Sequence, residues 1–122
     1  MTSDEFERVI AATMDELPPE FQERLDNVDV VLEEYADAET LRLAGVRHRE
    51  GLLGFYHGVP ITERTQGYGM VAPDKISIYR QPIVHYYRTP EAIREGIKHT
   101  VLHELAHYFG IDDDRLHELG AY

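Results

Sequence analysis

The stretch His103-Glu104-Leu105-Ala106-His107 places two histidines four residues apart, with a glutamate directly after the first. On a helix, residues four apart lie on the same side about one turn apart, so both imidazoles can reach one metal ion. Glu104 is rotated by about 100° from His103, so it need not bind the metal. It can instead hold a water molecule at the metal and accept its proton. The H-E-x-x-H pattern therefore predicts a zinc site with Glu104 as general base.

A third metal ligand is expected after the helix. Gly110 can adopt the left-handed conformation, end the helix and turn the chain back over the metal. Asp113, six residues after His107, can supply a carboxylate oxygen at the spacing where longer zincin motifs place a histidine. His117 lies four residues beyond Asp113 and is the alternative, as a ligand or as a residue that orients one. Glu118 ranks third.

The length and composition limit the kind of protein. The chain has 122 residues, of which 43% are hydrophobic, which suits a single domain over residues 1–122 with a modest core. It has no cysteine, which excludes disulfides, thiolate metal sites and cysteine nucleophiles. Any metal must therefore be held by His, Asp, Glu or water.

The charge balance argues against two classes of partner. The net charge is −11, with 23 acidic and 12 basic residues, so nucleic acid phosphates and anionic membranes are repelled. The first residues, MTSDEFERVI, carry acids where a signal peptide needs positive charge, and no apolar run reaches 18 residues. We therefore expect a cytoplasmic protein with neither nucleic acid nor membrane as partner.

Caps, breakers and apolar periodicity predict the elements that must position the motif. Thr2 and Glu5 form a capping box, and Thr89-Pro90-Glu91 is a strong start for the helix that carries the motif. The predicted helices cover residues 2–16, 19–25, 37–44, 89–109 and 113–119, and the predicted strands cover residues 27–35, 52–59 and 75–79, the last of them central. This order predicts an α+β fold in which a small mixed sheet packs against the motif helix.

Three segments resemble the small bacterial zincin-like proteins, called minimal metalloproteases or possible zinc metallopeptidases: LLGFYHGVPITER, PDKISIYRQPI and HTVLHELAHYFGIDDDRLHELG. The resemblance runs from about Leu52 onward and implies a compact zincin-like fold. It also implies that His103, His107 and Asp113 bind Zn²⁺ and that Glu104 is the general base. The substrate it implies is a peptide or protein, pairing in extended form with an edge strand within LLGFYHGV.

The chain departs from larger zincin peptidases after the motif. No methionine follows Asp113, so the methionine turn of metzincins is absent, and nine residues remain after that position. The substrate cleft is then either shallow or completed by a partner protein. The first hypothesis is a zinc-dependent peptidase. The alternatives are a metal-binding regulatory or interaction protein without independent catalytic activity, and a domain that carries the motif without zinc.

Other donors are available for an oxyanion, and the sequence does not choose among them. They are His57, His85, Tyr86, Tyr87 and Tyr108. His99, one turn before His103, could orient a metal ligand, but an ordinary surface histidine is the favoured interpretation.

Overall fold

The computed structural model describes residues 1–23, 28–58, 74–109 and 114. The predicted last helix falls outside this part, apart from residue 114. The elements are α1 (Ser3–Glu16), α2 (Pro19–Gln22), β1 (Val28–Glu33), α3 (Ala38–Ala44), a 3₁₀ turn (Arg49–Gly51), β2 (Gly54–His57), β3 (Asp74–Tyr79), α4 (Arg80–Tyr87) and α5 (Pro90–Phe109).

The three strands form one mixed sheet in the order β1-β3-β2. β1 runs parallel to β3, with Val30 opposite Ile76. β2 runs antiparallel to β3, with Tyr56 opposite the same Ile76. The α+β class, the mixed sheet and the central position of β3 are as predicted.

Side chains alternate between the two faces of the sheet, and each face packs against different helices. Ile76 and Ile78 of β3 are fully buried in the main core, together with apolar residues of α1 and α5 such as Phe6 and Val101. On the opposite face, Tyr79 belongs to a second cluster with residues of and around α3. The helix that carries the motif thus lies on the apolar face of the sheet.

The helix ends follow the sequence signals. The Thr2 hydroxyl accepts the N–H of Glu5 at 3.2 Å, which caps α1. Asp37 caps α3 by accepting the N–H of Thr40 at 2.8 Å. Gly45 ends that helix in the left-handed conformation with φ 71°. At the start of α5, the Thr89 hydroxyl accepts the N–H of Ala92 at 3.2 Å. These caps satisfy donors that the first turn of a helix leaves without an intrahelical partner.

Helix α4 was not predicted. It continues directly from β3 and has no side-chain cap, so no turn or capping signal marks its start. Pro82 is its third residue, a position where a missing N–H costs nothing because the first turn has no intrahelical acceptor. Arg88, with φ 69°, then reverses the chain, and the Thr89 N–H donates to the Tyr87 carbonyl at 2.8 Å. This tight turn delivers the chain into α5.

Candidate metal centre

The complete H-E-x-x-H stretch lies within α5, as predicted. The backbone of His103 and His107 therefore places them one turn apart on one side of the helix. The side chain of His107 and both alternatives for the third ligand, Asp113 and His117, lie outside the part described. Within that part, no three His, Asp or Glu side chains are grouped as a metal site.

His103 is half-buried, and its Nδ1 atom is buried. The accessible part of this ring is thus not at Nδ1, which leaves Nε2 as the nitrogen suited to a metal. His99, also half-buried, stacks on His103 with ring centroids 5.6 Å apart and ring planes inclined by 14°. A stacked neighbour restricts rotation of the His103 ring.

Glu104 is half-buried, and its burial raises the pKa of the carboxyl group to about 7. The main-chain N–H of Tyr56 donates a hydrogen bond to this carboxylate, which lowers the pKa and partly offsets the effect of burial. Near neutral pH the carboxyl group is therefore close to half-ionised. A group in that state can both accept and return a proton, as a general base must.

The close approach of α5 to β2 explains why Glu104 reaches Tyr56. A Cβ atom on Gly54 would lie only 2.5 Å from Cγ2 of Thr100, so this contact requires glycine. Glu104 lies four residues after Thr100, about 6 Å along the helix. Tyr56 lies two residues after Gly54, about 7 Å along the strand. These two distances are nearly equal. The close contact between Thr100 and Gly54 is therefore followed, one helical turn further on, by a contact between Glu104 and Tyr56.

Two residues beside this contact were missed by the sequence reasoning. The hydroxyl of Tyr56 donates to Oδ2 of Asp74 at 2.9 Å. Asp74 is buried at the start of β3. A signal was present, because Tyr56 has the same strand parity as Gly54 and so shares the face toward α5. From the sequence, only the neighbouring residue, His57, was named, as one of five candidate oxyanion donors.

That histidine, His57, belongs to a cluster on the opposite face of the sheet. The Ser77 hydroxyl donates to Oε2 of Glu33 at 2.5 Å and lies 3.2 Å from Nε2 of His57. Burial lowers the pKa of His57, and the positive charge of Lys75 lowers it further. The three side chains link all three strands across this face.

This cluster is not a serine nucleophile. The single hydroxyl proton of Ser77 goes to Glu33, so at this contact His57 donates from Nε2 to Oγ. In a catalytic triad the histidine accepts the serine proton instead. Ser77 is also fully buried, out of reach of a substrate.

The remaining candidate oxyanion donors lie on α4 or outside the described side chains. His85 and Tyr86 are exposed on α4. Tyr87 packs directly against Gly96, where a Cβ atom would lie 2.2 Å from its ring. The side chain of Tyr108 is not described.

Comparison with known proteins adds a family assignment. A family model described as zincin-like metallopeptidase matches residues 25–121. The chain matches no curated protein significantly. In the part of the chain that the structure describes, no helix is long and apolar enough to cross a membrane.

Proposed function

The chain belongs to the zincin-like metallopeptidase family, and we propose that it is a zinc-dependent minimal peptidase with Glu104 as general base. The observation that supports the role of Glu104 most directly is its half-buried carboxyl group, whose pKa is raised to about 7. Structural carboxylates normally ionise far below that pH, whereas a general base works best with a pKa near the operating pH.

The residues that would hold zinc are His103 and His107, with Asp113 as the third ligand and His117 as the alternative. The donor set fits zinc, which accepts imidazole nitrogen and carboxylate oxygen. The buried Nδ1 of His103 fits as well, since it leaves Nε2 toward the metal. Zinc, when bound, supplies a Lewis acid that polarises a carbonyl group and lowers the pKa of water.

Glu104 would take a proton from the attacking water and return it to the amine that leaves. Both transfers need a carboxyl group that is neither firmly ionised nor firmly protonated. Burial keeps the pKa of Glu104 high, and the Tyr56 N–H limits the rise. The packing around Glu104 thus sets the pKa of the proposed general base.

The substrate would be a peptide or protein in extended conformation, lying along β2. This strand is at an edge of the sheet in the described part of the chain. An extended peptide can add to such an edge through main-chain hydrogen bonds. The proposal includes a single domain over residues 1–122, a cytoplasmic location and a cleft that a partner protein completes.

The test is cleavage of a library of unstructured peptides, with zinc content measured on the same samples. Glu104→Gln is expected to lower turnover by about 10²–10⁴-fold while zinc content stays unchanged. Glu95→Gln, an exposed glutamate on the same helix, is the matched control and should keep full activity. Zinc measurements on Asp113→Ala and His117→Ala identify the third ligand.

Two results would contradict the proposal in different ways. Equal cleavage by wild type and Glu104→Gln would remove Glu104 from the mechanism. Tightly bound zinc without cleavage of any library member would favour the metal-binding regulatory or interaction protein instead.

A further inference from the structure

We infer that the main-chain N–H of Tyr56 holds the Glu104 carboxylate in the free protein and releases it when an extended peptide pairs with β2. Substrate binding would then free the general base at the moment it is needed. The inference rests on the proposed function for the roles of base and substrate. The contact between Glu104 and Tyr56 does not depend on that function.

The register of β2 shows which main-chain groups face outward. In an antiparallel pair, residues that exchange hydrogen bonds alternate with residues that do not. The Tyr79 N–H donates to the Leu53 carbonyl at 3.0 Å, so the pair Leu53 and Tyr79 is of the bonded kind. Two positions further on, Phe55 is opposite Ser77 and belongs to the same class. Tyr56, between bonded positions, directs its N–H away from β3.

That outward N–H is the donor an added peptide strand requires. In the described part of the chain no strand pairs with this edge of β2. The Glu104 carboxylate accepts the N–H instead, brought there by the close packing of Thr100 on Gly54. The carboxylate and a substrate carbonyl thus compete for one proton donor.

Glu104 is favoured in this competition in the free protein, and the peptide is favoured once it binds. A hydrogen bond to a carboxylate is roughly twice as strong as one to a neutral carbonyl, so Glu104 keeps the N–H in the free protein. An extended peptide brings several main-chain and side-chain contacts together. It can therefore displace the carboxylate, which becomes available to a water molecule. Tyr56 is a positioning residue in this scheme, acting through its backbone.

Hydrogen exchange of single amides, measured by NMR on zinc-free protein, tests the holding step. The Tyr56 amide is expected to exchange about tenfold faster or more in Glu104→Ala than in wild type. The amides of Phe55 and His57, which belong to the ladder with β3, should not change. Glu95→Ala is the matched control. Equal exchange at Tyr56 in wild type and Glu104→Ala would overturn the inference.

Binding of oxidised insulin B chain to zinc-free protein, in which nothing is cleaved, tests the release step. The peptide should bind Glu104→Ala about tenfold more tightly than wild type, because no carboxylate must be displaced. It should also restore slow exchange at Tyr56. Equal affinity, or no binding to Glu104→Ala, would overturn the release step.

A second variant guards against misfolding of Glu104→Ala. Glu104→Gln keeps the side-chain shape with a weaker acceptor, so its exchange rate and affinity should fall between the other two. Values equal to wild type in Glu104→Gln would contradict a role for the carboxylate charge. Failure of the zinc-loaded wild type to cleave peptides would refute the proposed function, yet leave these exchange and binding results intact.

Discussion

Glu34 and Glu104 show two opposite environments for a carboxylate in one small protein. Glu34, exposed after β1, accepts hydrogen bonds from Arg80, one of them from Nε at 2.6 Å, and from Gln81 at 3.3 Å. The Arg80 hydrogen bond lowers the pKa of Glu34. Glu104, half-buried against β2, has its pKa raised to about 7 by burial. The first carboxylate stabilises the fold, whereas the second is kept at a cost in stability, as is typical of functional sites.

The largest expected effect concerns this cost in the zinc-free protein. Glu104 has an ordinary pKa of 4.5 and a folded-state pKa of about 7, so the folded state binds the proton more tightly. The free energy of unfolding should therefore fall by about 2–3 kcal/mol as pH rises from about 4.5 to about 7. Glu104→Gln should remove most of that fall. Urea unfolding at pH 5 and pH 8, with Glu95→Gln as control, measures it. If the free energy of unfolding depended on pH equally in Glu104→Gln and wild type, Glu104 would not be the source of the fall.

The second effect concerns the packing that brings Glu104 to β2. In Gly54→Ala, the new Cβ would lie 2.5 Å from Cγ2 of Thr100 and 3.1 Å from the Ser77 carbonyl oxygen. Such overpacking should lower the free energy of unfolding by about 1–3 kcal/mol. It should also speed exchange of the Tyr56 amide while leaving the Glu34–Arg80 pair intact. Thr100→Ser removes the clashing methyl group, so the double variant should recover part of the loss. No recovery would show that the Ser77 carbonyl, not Thr100, sets the limit.

The smallest effect is expected at Glu34. Glu34→Gln should lower the free energy of unfolding by less than about 1 kcal/mol, because the Glu34 carboxylate is exposed and solvent screens its ion pair with Arg80. The sign of its pH dependence is opposite to that of Glu104. A lowered pKa contributes stability above the ordinary pKa of the group, and this stability is lost as pH falls. Urea unfolding at pH 3.5 and pH 7 should show wild type and variant converging in acid. If the difference in free energy of unfolding between wild type and Glu34→Gln were the same at both pH values, packing and not charge would cause the loss of stability.

The features that could be predicted from the sequence are those that depend on residues close together in the chain. The cap at Thr2 and the start of α5 at Thr89 are local patterns, and both are confirmed. The role proposed for Glu104 also comes from a local pattern, the four-residue spacing of His103 and His107 on a helix. The motif's metal partners after Gly110 remain predictions.

The partner of Glu104 could not be predicted, for a physical reason. Every residue except proline offers the same main-chain N–H, so no side-chain pattern marks the one at Tyr56. Its outward direction depends on the order and register of the strands, which join residues far apart in the chain. His57 was one of five candidate oxyanion donors, none of them preferred. It is a conspicuous residue type, but its strand parity places it on the opposite face, with Ser77.

The parallel pairing of β1 with β3 has a consequence for the order of folding. Glu34 and Arg80, which continue these two strands, are 46 positions apart in the chain. Closing so long a loop is slow, so β1 is expected to join β3 late in folding. Tyr56 acquires its outward N–H only when β2 has paired with β3. The contact between Glu104 and Tyr56 therefore forms together with the sheet and not with the motif helix alone.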